Sequence, residues 1–322
     1  MFNIDNVKID GYAGLAPMAG VADRAFRQLC KSYGASYVVS EMVSAKGISY
    51  KNEKTQDLML LSDEERPAAL QLFGSEPKIV AQAAKESIKY NPDILDINMG
   101  CPAPKITNNG CGSALMKNPK LCGEIVKAVK SLVEVPITVK IRKGFNDENI
   151  NALEVAKYCQ EAGASAITVH GRTREQFYSG VVDLEIIKQV KENMDIPVIG
   201  NGDITSGQKA IEMYNYTKCD YVLVGRGALG NPYIFTQINS FIEDGVILKE
   251  PTIEEKMETM LTHILLIEKY KGEKHGVREA RKHIAWYLKG FKNAASYRNA
   301  VGKVDTIEDV EKLIKLICTI DK

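Results

Sequence analysis

Ile94-Leu95-Asp96-Ile97-Asn98-Met99-Gly100-Cys101-Pro102 decides how this chain is read. A short apolar run closes on a glycine, and residues 119–132 then carry apolar side chains at helical spacing. The same unit recurs outward in both directions. Apolar runs stand at 14–18, 37–41, 68–73, 94–99, 137–142, 166–170, 197–201 and 221–225. Helical patterns at 23–33, 77–90, 119–132, 151–161 and 206–214 lie between them. Strands alternating with helices imply βαβ units and a parallel sheet. Eight such units predict a (β/α)8 TIM barrel, with a doubly wound sheet as the rival.

Near residues 246–251 the pattern changes. Thr252-Ile253-Glu254-Glu255 is a capping-box sequence that opens a helix over 254–271, and further helices are expected at 279–294 and 306–318. The expected division is a barrel over 1–245 and a small all-helical domain over 246–322. Ten basic residues between 269 and 303 face only Glu273 and Glu279, a local charge of +8 in a chain whose formal total is +1. Trp286, Tyr287, Phe291 and Tyr297 are interleaved with them. A basic stretch with aromatics is the electrostatic footprint of a nucleic-acid site, although it also describes a solvated helix face over core aromatics.

Composition narrows the classes. Seven cysteines without a Cys-x-x-Cys pair fit reduced thiols better than a disulfide framework. The first residues lack the apolar run of a signal peptide, and no stretch has the ~18 consecutive apolar residues of a membrane span. A cytoplasmic protein with no membrane partner is expected. The four histidines form no H-E-x-x-H pattern, so no metal is expected, and there is no G-x-S-x-G elbow.

Chemistry in such barrels sits at the C-terminal ends of the strands. Those ends carry Pro17, Met18 and Ala19, then Glu41, Gln71, Asn98 and Cys101. Lys140 and Arg142 share one face of the fifth run, since strand side chains alternate. Thr168, His170 and Arg172 follow at the same spacing, then Asn201, Gly202 and Asp203, then Gly225, Arg226 and Gly227. Each alone has a bland explanation; together they converge on one mouth. Glycines at the ends of the last two runs suit a barrel phosphate site. Gly225–Gly230 also matches G-x-G-x-x-G, a weak signal because it ends the ladder of units rather than starting it. A phosphate site with Gln71, Lys140 and Asn201 for a polar ring suggests FMN.

Leu15-Ala16-Pro17-Met18-Ala19-Gly20-Val21-Ala22-Asp23-Arg24-Ala25-Phe26-Arg27 resembles the opening motif of tRNA-dihydrouridine synthases. Asp96–Lys105 resembles their catalytic motif, and 112–116, 139–142, 170–173, 200–203 and 225–227 resemble the remainder. The pattern is similar to the bacterial B-type branch. The resemblance implies FMN, NADPH (or NADH) as reductant, and reduction of the uridine C5–C6 double bond in tRNA. By position, Pro17, Met18 and Ala19 would line the flavin, and Gln71, Lys140 and His170 would contact its ring or chain. Asn201, Gly202, Asp203, Gly225 and Arg226 would hold its ribityl and phosphate end. Cys101 would be the general acid, with Asn98, Arg142 and Arg172 on the substrate side. Cys111 departs from the small residue expected there. A monomer is expected. The alternatives are a flavin barrel oxidoreductase acting on a free metabolite such as a pyrimidine, and a tRNA-binding protein without catalysis.

Overall fold

The computed structural model describes residues 2–50 and 52–320. A hairpin of β1 (Phe2–Ile4) and β2 (Val7–Ile9) precedes the barrel. The barrel strands are β3 (Ala13–Leu15), β4 (Val38–Ser44), β5 (Ala68–Phe73), β6 (Ile94–Asn98), β7 (Ile137–Gly144), β8 (Ala166–Thr173), β9 (Val198–Asn201) and β10 (Tyr221–Val224). All run parallel, and β10 pairs with β3 to close the ring. The barrel is therefore the TIM type read from the eight repeated units.

Strand alternation sorts the side chains. Leu95 and Ile97 from β6 and Val139 and Ile141 from β7 pack outward into the shell of helices. Asp96 and Asn98 pair in register with Thr138 and Lys140, and these face the axis. The lower interior is apolar: Val39, Ala69, Ile94, Ala166, Ile199 and Leu223 cluster there with Phe2, Ile4 and Ile9 from the hairpin. Phe2 stacks on Tyr221 with ring centroids 4.9 Å apart. The hairpin thus plugs the N-terminal end, and the polar side chains are left at the C-terminal mouth.

Some strand ends differ from the periodicity. The spacing predicts a first strand over 14–18, but β3 stops at Leu15. Pro17 has no N–H for a ladder, and the Met18 carbonyl turns the chain by accepting from Val21 and Ala22 at 3.0 and 2.9 Å. Conversely, β7 and β8 run on to Gly144 and Thr173 through an irregularity after Arg142. They rise above the rim and carry Arg142 and Arg172 with them.

The later helices are Ile253–Lys271, Glu273–Tyr287, Ala294–Val301 and Ile307–Ile320. The expected helix over 279–294 is in fact two elements. Glu273–Tyr287 starts earlier, after Gly272 at φ +73°, and ends before Gly290 at φ +93°; the helix Ala294–Val301 was not separated in the sequence. Apolar periodicity continues across such a glycine while the backbone does not. A second apolar cluster joins Met260, Ile264, Ile284, Tyr287, Val310 and Ile317.

These helices dock on the barrel helix Arg24–Ser32. Lys271 Nζ reaches Asp23 at 2.8 Å and Glu279 at 2.5 Å, and Tyr270 donates to Gln28 at 2.8 Å. Phe26 stacks on His263 at 5.1 Å. Beneath, Arg27 Nε meets Glu65 at 2.5 Å with both side chains buried, while its other nitrogens donate to the Ala22 and Leu60 carbonyls. Removing one member of a buried pair strands the other charge. Arg27→Ala is expected to cost about 3–5 kcal/mol in urea unfolding; a loss under about 1 kcal/mol would mean that Glu65 finds water instead.

Candidate active site

A buried polar ladder runs from the barrel axis to Cys101. Thr138 Oγ1 and Gln71 Nε2 donate to the two oxygens of Asp96, at 2.5 and 2.6 Å. Asn98 Nδ2 donates to Gln71 Oε1 at 2.9 Å. Asn98 Oδ1 then accepts from the Gly100 and Cys101 amides at 3.2 and 2.9 Å. Each amide side chain spends its oxygen and one hydrogen in this chain. Burial pushes the Asp96 carboxyl up even though two donors oppose it.

Strand β7 clamps the same turn from the side. Met99 donates to the Lys140 carbonyl at 2.9 Å, and Arg142 Nε donates to the Gly100 carbonyl at 2.9 Å. A Cβ on Gly100 would lie 3.2 Å from the Ile141 carbonyl carbon, so the turn packs tightly on β7. The Cys101 carbonyl accepts from both the amide and the hydroxyl of Ser113, at 3.0 and 2.9 Å. Cys101 itself is half-buried, and burial pushes its thiol up against the pull of the Ala103 amide, Arg142 and Lys140.

Across the mouth stand the cations. Lys140 Nζ donates to Asn201 Oδ1 at 2.9 Å, and Asn201 is oriented by donating to the Leu223 carbonyl at 2.8 Å. Burial, with Arg142 nearby, brings the Lys140 ammonium down to about 8. Burial lowers Arg142 to about 10 as well, and its Nη1 donates to the Thr173 and Phe177 carbonyls at 2.7 and 2.9 Å. His170 is held well below its ordinary value by burial and then by Lys140 and Arg142, so its imidazole is neutral.

At the ends of β9 and β10 the backbone opens. Gly202, at φ +130°, lies so close to His170 that a Cβ would sit 3.0 Å from Cδ2. A Cβ at Gly225 would meet only Ala16 Cβ and Met18 Sδ, each at 3.9 Å. Those are ordinary van der Waals distances, so this strand end stands directly beside the Pro17–Ala19 turn. Arg226 reaches Asp203 at 3.4 Å.

Arg172 has a different job from the substrate contact expected of it. It is 2% exposed and donates through Nε to Ser179, through Nη1 to Asp203 and through Nη2 to Gly180 and Asp203, at 2.6–3.0 Å. It holds Asp203 and a loop in place. That loop supplies residues the sequence reading missed. Phe177 and Tyr178 are 42% and 46% exposed and meet edge to face at 4.9 Å. Arg226 lies 4.4 Å and Arg142 5.8 Å from the Tyr178 ring. An exposed Phe-Tyr pair between a strand end and the next helix was the available signal.

The basic window is also redistributed. Lys271 is tied to Asp23, Arg278 and Arg281 reach Asp305 at 2.6 and 3.0 Å, and Tyr287 and Tyr297 are 2% exposed. Those aromatics belong to the core. Lys282 Nζ instead lies beside the Gly20 turn, 3.9 Å from where a Cβ would stand.

A closed barrel with one polar mouth defines a class shared with the solved structure of morphinone reductase, which matches with a TM-score of 0.52 at 13% identity over 79% of this chain and 91% of that one. That likeness concerns the fold. The profile of the family described as Dihydrouridine synthase (Dus) matches residues 14–321. A probable tRNA-dihydrouridine synthase of Rickettsia bellii is 41% identical over 99% of both chains. The tRNA-dihydrouridine synthase B of Pasteurella multocida is 41% identical over 94% of this chain and 90% of its own, and that of Vibrio vulnificus 41% over 94% of both. The chain belongs to the dihydrouridine synthase family.

The raised Cys101 thiol has a direct readout. Its alkylation by iodoacetamide, followed by peptide mass spectrometry, should be slower than that of a free thiol at neutral pH and should still climb above about pH 9. A plateau near neutrality would mean that a thiolate is the resting form.

Proposed function

We propose that this protein reduces the C5–C6 double bond of particular uridines in tRNA to 5,6-dihydrouridine, with FMN as cofactor and NADPH or NADH as reductant. The observation that carries the reading is the position of Cys101. Cys101 is half-buried, its backbone is fixed by the Asp96–Gln71–Asn98 ladder, and its thiol, which burial pushes up, lies within electrostatic reach of Arg142 and Lys140. The curated relatives named as tRNA-dihydrouridine synthases support the substrate.

The residues fit FMN. Gly225 stands within 3.9 Å of Ala16 and Met18 at its Cβ position, and Pro17, Met18 and Ala19 would wall the ring there. Gln71, Lys140 and His170 would meet the polar edge of the ring, a cation there favouring its reduced anionic form. Asn201, Gly202, Asp203, Gly225 and Arg226 would hold the ribityl and phosphate end, with Arg172 keeping Asp203 in place. When bound, the flavin supplies the hydride that C6 of the uracil accepts. Asn98 and Arg142 orient the base, each with donor capacity left over from its contacts within the protein. Cys101 gives the proton from Sγ to C5, where negative charge gathers as C6 is reduced, and solvent restores the thiol. The acid must be protonated to act, and burial keeps it so.

The uridine has to leave its stack to enter the mouth. The helices after residue 252 would hold the RNA through phosphates, with Lys282, Lys289 and Lys292 as the residues of choice, since Lys271, Arg278 and Arg281 are engaged in ion pairs.

Three outcomes test this. Dihydrouridine should disappear from defined tRNA positions in a deletion strain, and turnover of free uracil or uridine instead would favour a metabolite-reducing barrel enzyme. Cys101→Ala should keep FMN and tRNA binding and lose about 10²–10⁴ in turnover, with the wild-type rate falling on the alkaline side as the thiol loses its proton. Lys282→Glu with Lys289→Glu should weaken tRNA binding and flatten its salt dependence, whereas Arg278→Glu should act through stability; equal affinity at every salt concentration would remove these helices from RNA binding.

A further inference from the structure

A cavity of roughly 300 Å³ lies on the rim between β4, β5 and the segment that follows Cys101. Its walls include apolar Phe73, Ile79 and Ile106, and its edge carries Ser44, Lys105 and Asn109. Lys105 and Asn109 are exposed. The neighbouring Lys46 is paired with Glu76 at 2.7 Å, and the exposed Lys105 is placed to meet an anion. Cys111, the unusual residue of the family pattern, also lines this space and is 9% exposed.

The cavity shares its wall with the reacting thiol. Residues 101–112 form one folded segment: Ser113 is hydrogen-bonded to the Cys101 carbonyl, and the Cβ position of Gly112, at φ +59°, would lie 3.0 Å from both Cys101 Cβ and Ile106 Cγ2. Ser75 Oγ reaches the Asn109 carbonyl at 3.5 Å and ties this segment to the end of β5. None of these residues takes part in the cofactor site.

We infer that this cavity receives the base of a nucleotide adjacent to the target uridine, stacked on Phe73 and Ile106 with its phosphate toward Lys105. This rests on the tRNA reading above. An aromatic and aliphatic floor with an amide, hydroxyls and the Lys105 ammonium at the edge is how unstacked bases are bound. With the phosphate end of the flavin assigned to the β9–β10 side, the strand passes over the β4–β6 side, where this cavity opens. A base seated against Ile106 also presses on the segment that positions Cys101, which couples recognition of the neighbour to the reaction.

The test uses flavin-loaded full-length protein and an unmodified tRNA transcript whose reduced uridine has been mapped. An abasic residue is placed immediately 5′ or immediately 3′ of that uridine. One of the two should weaken wild-type binding about tenfold. Phe73→Ala should weaken intact tRNA by a similar factor and bind intact and abasic tRNA alike, so that the two losses do not add. If Phe73→Ala fails to fold, Lys105→Glu and Asn109→Ala, both exposed, serve in the same cycle. Fully additive losses, or no loss from either abasic transcript, would overturn the inference. Absence of dihydrouridine in every tRNA offered to the wild type would instead overturn the underlying reading.

Discussion

Everything at the mouth depends on one buried carboxylate. Asp96 sits on the inner face of β6 and accepts from Thr138 and Gln71. An unpaired carboxylate at this depth would cost several kcal/mol, so the two donors are held to it tightly. With Nε2 on Asp96, Gln71 has its oxygen turned toward Asn98, and Asn98 in turn has its oxygen turned toward the Gly100 and Cys101 amides. The position of a reactive thiol is thus set by a chain of fixed amide orientations that begins two layers below it.

The same logic runs through the cations. Lys140, Arg142 and Arg172 are long side chains of the kind that usually reach water, yet each ends on a carbonyl or carboxylate inside the rim. Together they give the mouth a positive field, which adds to burial in holding His170 well below its ordinary value. Arg142 and Arg172 also support the loop that displays Phe177 and Tyr178, so the charged interior and the exposed aromatic edge are one construction. The hairpin at the other end of the barrel makes this field one-sided by filling the lower interior with apolar side chains.

The helical part is joined to the barrel through helix Arg24–Ser32, which follows the first strand. Asp23 caps that helix through the Phe26 amide and also receives Lys271. Two buried histidines, 263 and 283, pack against Phe26 from the helical side. The helices are therefore anchored beside the Pro17–Ala19 turn and place Lys282 next to it. A barrel mouth and a basic surface are brought to one edge of the molecule by a single helix.

Sequence alone determined the barrel, because eight apolar runs alternating with helical patterns leave few other ways to bury them, and it determined which side chains gather at the strand ends, because alternation along a strand is strict. It marked Cys101, Lys140 and Arg142 by that route, and family resemblance attached roles to them. It did not show that Arg172 faces inward to Asp203, that Lys271, Arg278 and Arg281 are engaged in ion pairs, or that Tyr287 and Tyr297 are core. Those outcomes depend on partners 8 to 248 residues distant in the chain, and a charge reads the same in sequence whether its partner is water or a carboxylate. The split of the helix expected over 279–294 and the rise of β7 and β8 above the rim were likewise decided by long-range packing and backbone geometry. The cavity beside Cys101 has no sequence signature, since it exists only where the ends of β4 and β5 meet the segment that follows Cys101.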